Sequence, residues 1–114
     1  ILFEGDNLEL GPNGTLHVGL ALHELVTNAL VHGALTLANG KIVISCQRGS
    51  APDSGAILTW IETPRVQSAV NRPKSFGRTM LERIVPAAVN GQGVLKITDD
   101  AVIYTLSIGK TEIV

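Results

Sequence analysis

The stretch Leu22-His23-Glu24-Leu25-Val26-Thr27-Asn28-Ala29-Leu30 constrains the fold most, because it reads as a helix with one apolar arc and one polar strip. At about 100° per residue, Glu24 and Asn28 lie only ~40° apart around such a helix, with Ala21 and His17 near the same strip. The opposite arc carries Val18, Leu22, Leu25, Val26 and Ala29, wide enough to bury against a sheet. The polar pair is therefore expected to face away from the core. Asn28 offers a neutral oxygen that suits magnesium, a hard cation that keeps several waters and takes other ligands from substrate phosphates. Glu24, one turn earlier, fits a role in holding a metal-bound water or polarising an attacking group. An isolated E-x-x-x-N is also compatible with an amphipathic helix whose Glu and Asn are simply solvated, so the rest of the chain must decide.

The chain has 114 residues, 45% of them hydrophobic and 17% charged, enough for one globular domain with a single core and too few for a second. A formal net charge of −1 with no Lys/Arg cluster excludes nucleic acid or an anionic membrane as the main partner. The longest apolar run, Val18 to Leu22, stops at His23 and Glu24, so no membrane span, signal peptide or direct membrane contact is expected, and a cytoplasmic setting follows. Cys46 is the single cysteine and alternates with Ile44 and Ile42, which predicts a small buried hydrophobe on a strand. Because the chain starts at Ile1 directly in strand-like sequence, it reads as a fragment of a longer protein, with the group it acts on lying elsewhere.

The remaining elements follow from period and punctuation. Ile1 to Glu4 and Leu8 to Leu10 read as two extended pieces around Gly5-Asp6-Asn7. Gly11 to Thr15 breaks the strand and offers Asn13 or Thr15 as a helix cap. The first helix is expected from Leu16 to His32, ending at Gly33 in a left-handed conformation. Asn39-Gly40 is a hairpin-type turn signal before a strand over Lys41 to Arg48, and Gly49 to Gly55 is a polar loop. In the next strand Ala56, Leu58, Trp60 and Glu62 share one face, so its last residue on that face is a carboxylate. Thr63 to Ser75, carrying two prolines and Arg65, Arg72 and Lys74, has the length of a lid. A second helix runs from Arg78 through Val85 and is bent or ended by Pro86 before Asn90-Gly91, and Val94 to Thr98 with Val102 to Ile108 forms a closing hairpin across Asp99-Asp100. The pattern is a two-layer α+β sandwich, a mixed sheet covered on one face by helices.

Three segments, A-L-H-E-L-V-T-N-A-L-V-H-G-A-L from Ala21 to Leu35, L-T-W-I-E from Leu58 to Glu62, and F-G-R-T-M-L-E-R-I-V-P from Phe76 to Pro86, resemble the ATP-binding catalytic domain of HWE-type bacterial sensor histidine kinases. His23, Trp60 and Glu62 stand where that family carries the residues that name it. The resemblance covers nearly the whole chain and implies the Bergerat-type (GHKL ATPase) fold, with ATP and Mg2+ as cofactors held between the helical layer and the lid. It implies that Asn28 binds magnesium and that Glu24 assists phosphoryl transfer. It further implies that Glu62 accepts a hydrogen bond from the exocyclic amine of adenine and that His32, Phe76, Gly77 and Arg78 line the nucleotide, Gly77 letting backbone N–H groups approach the phosphates.

His23, about 100° from Glu24 on the helix, is expected to be a packed or hydrogen-bonded structural histidine and not the phosphorylated one, which in the resembled kinases belongs to a separate helical domain. Trp60 is expected in the core. The implied partners are that phosphoacceptor helical domain, on the same or a partner subunit, and the receiver domain of a response regulator, with the full-length protein a homodimer. The chain departs from the family where Glu62 is followed by Thr63-Pro64-Arg65 instead of glycines, where Ser75 replaces a glycine, and where Val31 replaces a common lysine. These changes point to weaker ATP binding, with Arg78, Arg72 or Lys74 as substitute cations. They also keep open a degenerate relative that serves as a phosphotransferase or adaptor module without ATP, and a gyrase-like ATPase or serine kinase.

Overall fold

The computed structural model describes residues 1–50, 54–66 and 76–114. Strand β1 (Leu2–Gly5) is followed by helix α1 (Pro12–Val31), a 3-10 turn (Ala34–Thr36), and strands β2 (Lys41–Arg48) and β3 (Ala56–Thr63). Helix α2 comes next, as an α turn (Phe76–Thr79), a π turn (Met80–Ile84) and a second α turn (Val85–Ala88). Strands β4 (Gly93–Ile97) and β5 (Val102–Ile108) and a 3-10 turn (Lys110–Glu112) close the chain. The five strands form one sheet in the order β1-β2-β3-β5-β4. β1 runs parallel to β2 and the other pairs are antiparallel, so the sheet is mixed, as the family resemblance implies. β3 is the central strand, and Ile42 and Val102 flank Glu62 at its end.

Both helices cover one face of this sheet. Val18, Ala21, Leu25 and Ala29 of α1 and Leu81, Val85 and Val89 from the α2 segment pack on Ile42, Ile44, Leu58, Trp60, Tyr104, Leu106 and Ile108. Small residues let α1 sit close: Ala21 and Ala29 are wholly buried. The core-facing stripe is thus Gly14, Val18, Ala21, Leu25 and Ala29, rotated from the expected arc so that Leu25 lies at its centre, Ala21 at the edge beside Asn28, and Leu22 and Val26 beyond the opposite edge, partly buried. Glu24 and Asn28 consequently sit half-buried on the flank and do not point away from the protein. By length and composition alone the segment Pro12–Thr36 could cross a membrane, which the short run from Val18 to Leu22 did not suggest; one side of it packs on the sheet.

Several boundaries differ from expectation for local reasons. α1 begins at Pro12, four residues earlier than Leu16, because proline in the first turn loses no helical hydrogen bond and has its φ preset. Neither Asn13 nor Thr15 caps it: Gly11 is the N-cap, and Asn13 Nδ2 donates to Ala88 O at 2.8 Å and Glu112 Oε1 at 2.9 Å. Leu8 to Leu10 forms no strand, only a bridge from Leu10 to Ile113. Asn39-Gly40 joins the 3-10 turn to β2 and makes no hairpin. Among the described non-glycine residues only Asn90 has positive φ. There Asn90 and Gly91 donate back to Ala87 O and Pro86 O at 3.4 and 2.9 Å, closing α2 with a Schellman-type cap. Cys46 is half-buried, and burial, then the nearby Asp6 charge, pushes its thiol up.

Pro86 lies inside α2 rather than ending it, and the π turn explains how. The Val85 N–H bonds to Met80 O, so the donor that the π register assigns to Leu81 O is residue 86, a proline with no N–H. Tyr104 Oη supplies the missing hydrogen, donating to Leu81 O at 2.6 Å in the core. Burial, then Glu82, pushes the Tyr104 phenol well above its usual range, which keeps it a donor. Removing it leaves a buried carbonyl unsatisfied, so Tyr104→Phe should lower unfolding free energy by about 1–3 kcal/mol, read as a lower urea midpoint at unchanged slope. Gly19, exposed in mid-helix with open space where a Cβ would go, predicts the opposite. Gly19→Ala should raise stability by about 0.5–1 kcal/mol.

Candidate nucleotide site

The polar residues singled out in the sequence fall along the C-terminal half of α1. Asn28 Nδ2 donates to Glu24 Oε1 at 3.1 Å, joining the pair across one helical turn. That contact orients the amide and turns its side-chain oxygen, Oδ1, away from Glu24 as an acceptor suited to a hard cation. Gly77, buried in the first turn of α2, lies directly against Glu24: a Cβ there would overlap the Glu24 carboxylate. A side chain at residue 77 would displace that carboxylate, a contact beyond the phosphate approach that the sequence reading assigned to the glycine.

At the other end of the strip the chain leaves α1 through His32, half-exposed, whose N–H bonds to Asn28 O at 2.8 Å. Gly33 follows with φ −115° and ψ −151°, so it is extended and not the left-handed cap expected. Its glycine is required for another reason, since a Cβ would strike the Glu62 carboxylate and the Ala29 backbone. Glu62 is 5% exposed, and its two oxygens are both engaged: Ala34 N–H donates to Oε2 at 2.9 Å and Trp60 Nε1–H to Oε1 at 3.4 Å. The end of β3 and the end of α1 are thus tied through one carboxylate. From Glu24 to Gly33 the helix axis advances about 13 Å.

The other candidates sit differently. Phe76 opens α2 at 71% exposure. Arg78 Nε bonds along its own helix to Glu82 Oε1 at 2.8 Å. Val31 is exposed on the outer side of α1. His23 is exposed, which corrects the expectation of a packed imidazole: its position on the helix points outward once Ala21 and Leu25 face the sheet. Trp60 is wholly buried as expected, yet it also donates to Glu62. Arg65 bonds to the β4–β5 turn, its N–H to Asp100 O at 3.1 Å and its guanidinium to Thr98 O at 3.4 Å. Arg72, Lys74 and Ser75, with most of the segment read as a lid, lie outside the described residues. Sequence reasoning missed Gly33 and Ala34, although the shared face of Trp60 and Glu62, two residues apart on a strand, was the available signal for their bond.

No family model matches the chain. It is 38% identical over 89 residues to blue-light-activated histidine kinase 1 of Erythrobacter litoralis (strain HTCC2594), an alignment covering 76% of this chain and 24% of that protein. The chain therefore spans about a quarter of that relative's length. Among solved structures, the histidine kinase domain of the Erythrobacter litoralis EL346 blue-light-activated kinase matches with a TM-score of 0.67 at 15% identity, over 96% of this chain and 50% of that one. The catalytic domain of histidine kinase ThkA matches with a TM-score of 0.67 at 20% identity, over 96% and 77%. The two-layer α+β fold is that of histidine kinase catalytic domains.

Gly33→Ala tests the tie between α1 and β3. The backbone at residue 33 accepts alanine, so the cost is steric alone, and displacing the carboxylate should destabilise the chain by about 1–3 kcal/mol in urea unfolding.

Proposed function

We propose, from the premise that this chain belongs to the histidine kinase family, that it is the catalytic domain of a longer cytoplasmic sensor kinase, spans residues 1–114 as one unit, and positions magnesium–ATP for γ-phosphoryl transfer to a histidine. The observation that carries this reading is the polar strip on α1. It ends against the Glu62 carboxylate of β3, an acceptor for a base, and carries at its other end the Glu24/Asn28 pair beside the glycine-bearing start of α2.

The donor set fits the cation. The Asn28 side-chain oxygen would hold magnesium, with phosphates and water supplying the remaining ligands. Among the described residues no group of three or more His, Cys, Asp or Glu side chains converges, so the nucleotide itself completes the site. Magnesium and ATP, when bound, supply the transferable phosphoryl group and much of its charge neutralisation. Glu24, one turn away, orients the attacking group, and its contact with Asn28 keeps the amide oxygen turned toward the metal. Glu62 accepts from the adenine amine through a lone pair left over after its two N–H contacts. His32, Phe76, Gly77 and Arg78 border the phosphates. The phosphoacceptor is a helical domain of the same or a partner subunit in a homodimer, and the phosphoryl group passes on to a receiver domain.

A second reading, an adaptor without ATP, draws on the commitment of Arg78 to Glu82 and on the exposed Val31 where a lysine would add charge. Calorimetric titration with a non-hydrolysable ATP analogue, with and without magnesium, separates the two. Magnesium-dependent saturable binding is expected. A folded sample that binds nothing at millimolar nucleotide, about −4 kcal/mol, favours the adaptor. Asn28→Ala should abolish the magnesium-dependent part of binding while leaving circular dichroism and the urea midpoint close to wild type, and normal binding by that variant would remove Asn28 from the site.

A further inference from the structure

The side chain of Trp60 does more than fill the core. It lies two residues before Glu62 on the same face of β3, wholly buried, with its single polar atom directed at Glu62 Oε1 at 3.4 Å. The other oxygen is held at 2.9 Å by the Ala34 N–H. Gly33 clears the space between them, because a Cβ there would strike Oε2. Each carboxylate oxygen has two acceptor sites. One on each is therefore taken by a donor fixed in rigid structure, a central strand on one side and the end of α1 on the other. A carboxylate at the end of a long, rotatable Glu side chain would otherwise sample several orientations.

We infer that Trp60 is a positioning residue for base recognition: its indole N–H, with the Ala34 N–H opposite, fixes the plane of the Glu62 carboxylate so that its remaining acceptor sites select a base presenting an amine. This role rests on the proposed reading of Glu62 as the base contact. An acceptor-only group favours adenine, which offers an amine, over guanine, which offers a carbonyl at the corresponding place. A carboxylate held in one orientation makes that preference sharper than a mobile one, since no orientational freedom is lost on binding. The phosphate end of the site, at Glu24 and Asn28, stays outside this effect.

Trp60→Phe removes the N–H but also volume from a filled core, so it is paired with a replacement of the indole by its benzothienyl isostere, in which sulfur stands for N–H at nearly constant shape. Affinities for magnesium complexes of an ATP analogue, a GTP analogue and inorganic tripolyphosphate are measured for each chain. The isostere is expected to reduce the preference for ATP over GTP about fivefold or more, with tripolyphosphate affinity unchanged in the folded chain and the urea midpoint lowered by the loss of a donor to a buried carboxylate oxygen. Trp60 is the single tryptophan, so its indole N–H gives one nitrogen–proton NMR signal, expected to move on addition of the ATP analogue and to stay in place with tripolyphosphate. An unchanged ATP-to-GTP ratio in the isostere, or an indole signal indifferent to the ATP analogue at saturation, overturns the positioning role while leaving the kinase reading intact. Failure of the folded wild-type chain to bind any nucleotide overturns the kinase reading and the positioning role with it.

Discussion

The contact of the Glu62 carboxylate with the start of the 3-10 turn ties together the two elements that define the site. β3 lies at the centre of the sheet, and α1 provides the main helical cover. They meet where a buried carboxylate receives N–H donors from both the helix end and its own strand. Such a group is tolerable in a core only because it is paired on each oxygen by a donor. Charge-assisted bonds of this kind are stronger than neutral ones, and here they fix the direction in which α1 leaves the sheet. The placement of Asn28 and Glu24 follows from that direction.

The two glycines at the site serve one geometrical purpose by different routes. Gly33 makes room for Glu62, and Gly77 makes room for Glu24. In each case a backbone lies where a side-chain carbon would displace a carboxylate. Close approach, and not unusual backbone dihedrals, is what requires glycine at Gly33, whose φ and ψ are within reach of any residue. Residue type alone does not distinguish these causes, and this is why the sequence reading assigned Gly33 a left-handed cap.

What was legible in the sequence was whatever is periodic or local. β2, β3 and β5 were readable because alternation along each strand carries its own register, and the face shared by Trp60 and Glu62 followed directly. The α1 stripe was readable in kind but misplaced in angle, since an apolar arc with Ala21 at one edge and Val26 at the other does not say which edge the sheet covers. The parallel pairing of β1 with β2 was hidden because it joins strands separated by the whole of α1. The exposed position of His23 was hidden for the same reason as the stripe angle. Of the candidate site, the Glu24/Asn28 pair and the buried end of β3 could be named from residues, whereas the contact of Gly77 with Glu24 depends on how α2 docks and has no local signature.

The π turn of α2 gives that docking an angular consequence. Relative to a continuous α-helix, one inserted residue turns everything before it by about 100° around the axis. In an unbroken α-helix positions 77 and 85 would lie about 80° apart, and the inserted residue cancels most of that difference, so that Gly77, Leu81 and Val85 share one buried side. The first turn of α2 thus meets the polar flank of α1 at Glu24 while staying in line with the later turns that pack on the sheet. Pro86 and Tyr104, both remote from the polar strip, set the azimuth at which the start of α2 meets Glu24.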